Sequence, residues 1–100
     1  MKNSILKSSL SPEGILKLTL NSPNNHNALS EEMILNIQSS LDASINDKQV
    51  RVIIISSEGP TFSAGHDLKE LTLGRKNPDK GRAYFKEIMT RCSMLMKTIV

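Results

Sequence analysis

The stretch Val50-Arg51-Val52-Ile53-Ile54-Ile55-Ser56 constrains this chain more than any other. It is β-branched and almost continuously apolar, whereas a strand wet on one face alternates. Such a run predicts a strand covered on both faces, as in a parallel sheet. Upstream, Leu16, Leu18 and Leu20 alternate with Lys17 and Thr19, so Gly14–Leu20 reads as a strand with one buried side. The turn signal Ser11-Pro12-Glu13-Gly14 pairs it with the short apolar stretch from Ile5 to Leu10 as a hairpin. Between the strands, Ser30 is a good N-cap, and Glu31 and Glu32 follow where the helix dipole favours acids. Ile34, Ile37, Leu41 and Ile45 then mark one helix face, and Asn46-Asp47 ends it. Strand, helix and strand form a right-handed βαβ crossover.

Ser57-Glu58-Gly59-Pro60 breaks the apolar strand. Asp67-Leu68-Lys69-Glu70 has the form of a capping box, opening a helix that Gly74 and Pro78 keep short. A longer helix starts near Gly81, with Phe85, Ile88, Cys92, Leu95 and Ile99 on its apolar stripe. The order is β-β-α-β-α-α, an α/β arrangement in one domain spanning 1–100. A strand of the Val52–Ile55 type expects neighbours on both sides, and the chain supplies few. No cap or stop signal follows Ile99-Val100. Both features lead us to expect an incomplete fold.

Bulk properties narrow the partners. The charge is +3, from 13 basic and 10 acidic residues. That suits a small anionic ligand and is too weak to argue for nucleic acid; aromatics are 3% and no recognition motif occurs. A chain of this mass exposes roughly 16,000 Å² unfolded and about 5,700 Å² when compactly folded, enough for a small core. The lone Cys92 permits no internal disulfide and fits a reducing compartment. No apolar run approaches the ~20 residues of a membrane span, so no membrane partner is expected. Met1–Lys7 lack both the apolar core of a secretory signal and the arginine of a mitochondrial presequence, which leaves a cytoplasmic expectation.

The chemistry concentrates in Gly59-Pro60-Thr61-Phe62-Ser63-Ala64-Gly65-His66-Asp67-Leu68-Lys69-Glu70. It follows the buried strand, at the carboxyl end where parallel α/β sheets bind ligands. Ala64-Gly65 offers almost no side chain, so a ligand can lie against backbone. The His66 amide immediately precedes the expected N-cap, where backbone donors lack intrahelical partners. A donor so placed suits a developing oxyanion, such as a thioester carbonyl becoming an enolate.

Phe62-Ser63-Ala64-Gly65-His66-Asp67-Leu68-Lys69-Glu70 resembles the crotonase-superfamily signature F-x-A-G-x-D-x-K-E. Leu20-Asn21-Ser22-Pro23 through Asn27-Ala28-Leu29-Ser30 resembles that family's L-N-x-P-x-x-x-N-A-L element. Both occur in order, joined by the expected βαβ unit, and the resemblance covers essentially the whole chain. The wording is most similar to enoyl-CoA hydratase domain-containing proteins of a mitochondrial branch. The resemblance implies the N-terminal portion of a crotonase-like ββα superhelical fold. It implies enoyl-CoA hydratase/isomerase chemistry on an acyl-CoA thioester, with coenzyme A as part of the substrate and no separate cofactor. It further implies a trimer or hexamer for the full-length family, and mitochondrial localisation if the parent is eukaryotic. The His66 backbone N–H would be one of two oxyanion-hole donors. Ala64 would meet the adenine through its backbone, Gly65 would admit the thioester oxygen, Ala28 and its neighbours would line the coenzyme A path, and Leu68 would face the acyl or pantetheine region. The family's second donor and its acid/base glutamates belong to later elements that this sequence does not contain. A catalytically silent acyl-CoA-binding or regulatory homologue, and an inactive truncated piece, are the alternatives.

Several residues have plainer readings. The His66 imidazole is expected to be a wall group and not a base, His26 a loop residue near the ligand path, and Asp67 a helix cap. Cys92, Met89, Met94 and Met96 are expected to pack, and no residues have metal-ligand spacing. Arg75, Lys76, Lys80, Arg82 and Lys86 read as a solvated face, with attraction for coenzyme A phosphates as the lesser reading.

Overall fold

The computed structural model describes residues 5–99. Met1–Ser4 and Val100, on which the targeting and chain-end readings partly rest, lie outside the described residues. Strand β1 (Leu6–Leu10) turns back through Ser11–Gly14 into β2 (Ile15–Leu20). The turn is closed by Ser11, whose amide donates to the Ile15 carbonyl at 2.9 Å and whose Oγ accepts from the Ile15 amide at 3.1 Å. Gly14 is required there, with φ at +90°. A Cβ on it would lie 2.8 Å from the Gln49 carbonyl oxygen, against the chain entering the third strand.

The helix between the strands, α1, runs Glu31–Ile45, and the Ser30 Oγ accepts from the Met33 amide at 3.1 Å as an N-cap does. Strand β3 (Val52–Ser57) then pairs parallel with β2, giving sheet order β1-β2-β3. Two more helices follow, α2 (Leu68–Gly74) and α3 (Arg82–Ile99). The element order is the one the periodicities predict.

The core lies between one face of the sheet and the α1–α3 pair. Leu16, Leu18 and Leu20 of the central strand meet Met33, Ile34, Ile37 and Leu41 of α1, and Ile88 and Leu95 of α3. The parallel register sets Ile53 beside Leu16 and Ile55 beside Leu18, so β3 adds its odd-numbered residues to that face. Gln38 Nε2 donates to Thr98 Oγ1 at 3.1 Å and ties the two helices.

Three packing expectations fail, for related reasons. Strand β3 was expected to be covered on both faces with neighbours on both sides; it is an edge strand, and Val52 and Ile54 are 50% and 47% exposed. Both helices of the core stand on one side of the sheet, so the even-numbered residues of β3 face away from them. Ile45 continues the α1 spacing but is 70% exposed, because it sits in the last helical turn as the chain leaves for the Asp47–Val50 turn; Met33 is fully buried instead. Met89, Met94 and Met96, expected to pack, flank the Ile88–Cys92–Leu95 stripe and stay exposed. Cys92 is half-buried against the core.

The accessible surface is 7,200 Å², where a compact chain of this mass exposes about 5,700 Å². The uncovered side of β3, where Val52 and Ile54 are exposed, is part of that surface. Denaturant unfolding of the isolated chain is therefore expected to give either less than the ~5–15 kcal/mol of an ordinary domain or a concentration-dependent transition. A cooperative, concentration-independent transition within that range would contradict this.

Candidate functional site

Two loops meet at the carboxyl ends of β2 and β3. The first passes through a single 3-10 turn, Pro23–Asn25, and then through His26 and Asn27, both left-handed with φ of 58° and 54°. The second runs from Glu58 to Asp67. Asn27 joins them. It has no exposed surface, and its side chain makes three hydrogen bonds. The Oδ1 accepts from the Ser22 amide at 2.7 Å, closing the first loop on itself. The Nδ2 donates to the Glu58 carbonyl at 2.8 Å and the Thr61 carbonyl at 2.9 Å, holding the second loop. Further along, Ser63 Oγ donates to the Asn27 carbonyl at 2.8 Å, the Ala64 amide donates to the His26 carbonyl at 3.0 Å, and the Leu29 amide donates to the Gly65 carbonyl at 2.6 Å. An isolated parallel bridge, Leu29 with His66, completes the zipper.

The zipped loops and the start of α2 enclose a cleft of about 350 Å³. His26, Ala28, Ala64, His66, Asp67 and Leu68 all line it, together with Asn24, Asn25 and Lys69. Gly65 does not line it. Its φ is +86°, and a Cβ added there would meet no atom within 4 Å. That backbone conformation is one glycine adopts freely and other residues rarely do.

The His66 backbone N–H donates to no group among the described residues. The His66 Nδ1 is buried without a partner, while the residue as a whole is half-buried in the cleft wall. The His26 ring lies 3.5 Å from Thr61 Oγ1 through its Nδ1. Asp67 acts as the α2 cap, its Oδ1 accepting from the Lys69 amide at 2.9 Å and the Glu70 amide at 3.4 Å.

The capping box is only half formed. Glu70 does not return to the Asp67 amide; its Oε1 accepts from the Glu31 amide at 3.0 Å, linking the first turn of α2 to the first turn of α1. Burial pushes the Glu70 carboxyl above its ordinary range, the Glu31 hydrogen bond works against that, and the charges of Asp67, Glu31 and Glu32 add to the rise.

The residue that sequence reasoning left without a role is Asn27. The available signal was an asparagine, which tolerates a left-handed conformation, set between a Ser-Pro turn and the apolar Ala28-Leu29. Which carbonyls it would meet depends on the second loop, more than thirty residues away.

A three-stranded parallel-crossover sheet whose loop ends form an amide-lined cleft is the N-terminal part of the crotonase fold. Residues 11–100 match the model of the enoyl-CoA hydratase/isomerase family, and the chain belongs to that family. It is 46% identical over 89 residues to the human enoyl-CoA hydratase domain-containing protein 3, mitochondrial, an alignment covering 87% of this chain and 27% of that protein. The crystal structure of that human protein superposes with a TM-score of 0.81 at 36% identity, covering 94% of this chain and 35% of the other. An enoyl-CoA hydratase of Mycobacterium smegmatis gives 0.87 at 34% identity, covering 97% and 36%. The chain thus spans about a quarter to a third of the length of these relatives.

Two substitutions test the site's construction. Asn27→Ala takes the partner from the Ser22 amide and the Glu58 carbonyl and the nearer of two donors from the Thr61 carbonyl, and is expected to cost about 2–4 kcal/mol in denaturant unfolding. Glu70 has a folded pKa above its unfolded one, so the stability it contributes is present below the unfolded pKa and lost as pH rises through the folded pKa. Glu70→Gln keeps an acceptor for the Glu31 amide without the charge. Melting curves across that window should show the variant gaining on the parent as pH rises; a constant difference between the two would contradict the burial of the carboxyl.

Proposed function

We propose that this chain contributes an acyl-CoA thioester site to a longer enoyl-CoA hydratase/isomerase-type protein, with the thioester oxygen received by the His66 backbone N–H. The observation that carries this reading is the cleft in which an amide without a protein acceptor stands beside Ala28 and Ala64. A donor fixed before the reaction stabilises negative charge on the carbonyl oxygen as the enolate develops, with little reorganisation. Ala64 and Ala28 leave room for the coenzyme A moiety to follow backbone, and Leu68 is placed for the acyl or pantetheine part. Coenzyme A enters as part of the substrate. The mitochondrial names of several relatives favour a mitochondrial setting over a cytoplasmic one, and a trimer or hexamer is the assembly this reading carries with it.

A second reading, a catalytically silent acyl-CoA binder, has its own support. Asp67 is the one carboxylate among the described residues lining the cleft, and it is committed to capping α2. Without a free carboxylate there, the 100-residue chain is expected to bind without turnover. Loss of one oxyanion donor costs ~10²–10³ in rate, and lack of general acid/base groups a further ~10²–10⁴. Crotonyl-CoA hydration by the purified chain, free of host hydratase, would overturn that expectation.

The His66 assignment is tested in the full-length parent. His66→Ala keeps the amide and should alter thioester turnover, or affinity for an enolate-mimicking coenzyme A analogue, by less than about tenfold. His66→Pro removes the donor and should cost roughly 3–4 kcal/mol of transition-state stabilisation. Proline also restricts Gly65, so circular dichroism and melting accompany the rates. Equal losses in both variants would assign the chemistry to the ring.

A further inference from the structure

The elbow between α2 and α3 carries a charge pattern that the cleft does not use. Within residues 75–86 stand Arg75, Lys76, Lys80, Arg82 and Lys86 against a single acid, Asp79. That segment nets +4 in a chain of net +3, so everything outside it nets −1. All five cations are exposed, and none takes part in an ion pair among the described residues. The one acid is occupied: Asp79 accepts from the Gly81 and Ala83 amides, each at 3.0 Å. The elbow is a built turn. The Lys76 amide donates to the Leu73 carbonyl at 3.1 Å and the Asn77 amide to the Gly74 carbonyl at 3.1 Å. A Cβ on Gly74 would run into the Tyr84 ring, so the two helices meet there at van der Waals contact.

An apolar face continues this patch. Leu68 and Leu73 are 74% and 62% exposed, and with Lys69 and Thr72 they line one shallow groove. Arg75 caps the end of α2, and Lys76 follows in the turn whose amide bonds back to the Leu73 carbonyl, so both cations stand next to the C-terminal end of the leucine face. The acids of α2 lie elsewhere, Asp67 in its cap and Glu70 against the Glu31 amide.

We propose that this elbow is a docking element for an anionic phospholipid surface, the five cations meeting headgroup phosphates and Leu73 entering the headgroup–acyl boundary. No helix of the described residues is long and apolar enough to cross a membrane; the element would lie on a bilayer. The sequence alone led to an expectation of no membrane partner, because its leucines and cations only become one surface when α2 and the elbow fold. A cluster of four to eight cations beside an apolar helical face is the arrangement that anionic leaflets attract. Exposed leucines favour a bilayer over nucleic acid, which would ask for stacking aromatics, and the elbow holds no exposed aromatic side chain.

The test is flotation of the 100-residue chain with vesicles, which separates bound protein from aggregates. Phosphatidylcholine vesicles containing phosphatidylserine should float the chain, and pure phosphatidylcholine vesicles should not. Raising salt should weaken binding as the Debye length shrinks. Arg75→Gln with Lys76→Gln should weaken partitioning about thirtyfold, and Leu73→Ser should weaken it several-fold; all three positions are exposed and outside the cleft, so circular dichroism should not change. Equal flotation with neutral vesicles, no flotation with anionic ones, or an unchanged Leu73→Ser variant overturns the proposal. Displacement by free coenzyme A at constant ionic strength, or by an RNA oligonucleotide, also overturns it, since either assigns the cations to another ligand.

Discussion

The structure depends on one buried amide. Asn27 has no exposed surface and makes three hydrogen bonds to backbone groups of two loops. Without it the Ser22 amide and the Glu58 carbonyl would lose their protein partner, and the Thr61 carbonyl would keep only the Ser57 hydroxyl at 3.4 Å; a polar group left unpaired away from water costs about 1–3 kcal/mol. Beside it, the Ser63–Asn27, Ala64–His26 and Leu29–Gly65 hydrogen bonds and the Leu29–His66 bridge zip the rest of the two loops together. The spacing of Ala28, Ala64 and the His66 amide around the cleft follows from that junction. A left-handed Asn27 also turns the chain so that Ser30 arrives in position to cap α1. Site and scaffold are thus set by the same side chain.

The helices give the sheet one covered face and leave β3 with the character of an inner strand and the position of an edge. Its odd-numbered residues complete the core beside Leu16 and Leu18, while Val52 and Ile54 face outward. In a sheet of this order, such a strand lowers the stability of the unit and marks a surface suited to further pairing. The relatives, of which the chain spans about a third or less, are larger proteins of the same fold.

The acids nearest the cleft are tied up within the fold. The acid at its edge caps a helix, and the acid three residues later joins the two helix starts. Besides Asp67, the cleft is lined by His66, Ala28, Ala64, His26, Asn24, Asn25, Leu68 and Lys69. The elbow beyond α2 adds a second surface of different character, in which charge is concentrated and uncompensated.

The sequence alone determined which elements exist, their order, and one face of the core, because these follow from local periodicity. Alternation at Leu16, Leu18 and Leu20, the Ser30 cap and the steps of three and four in α1 and α3 are properties of neighbouring residues. It also marked the two loops at the carboxyl ends of adjacent strands, where His26, Ala28, Ala64, His66, Asp67 and Leu68 line the cleft and Gly65 does not. Tertiary structure decided what local pattern could not encode. It placed β3 at an edge, exposed Ile45 and the methionines beside the α3 stripe, sent Glu70 to Glu31 instead of to its own helix cap, and made Asn27 the junction of two loops. In each case the deciding contact lies far away in the chain or depends on which faces are covered. The energy of burying a group is set by everything that surrounds it, and not by its neighbours in sequence.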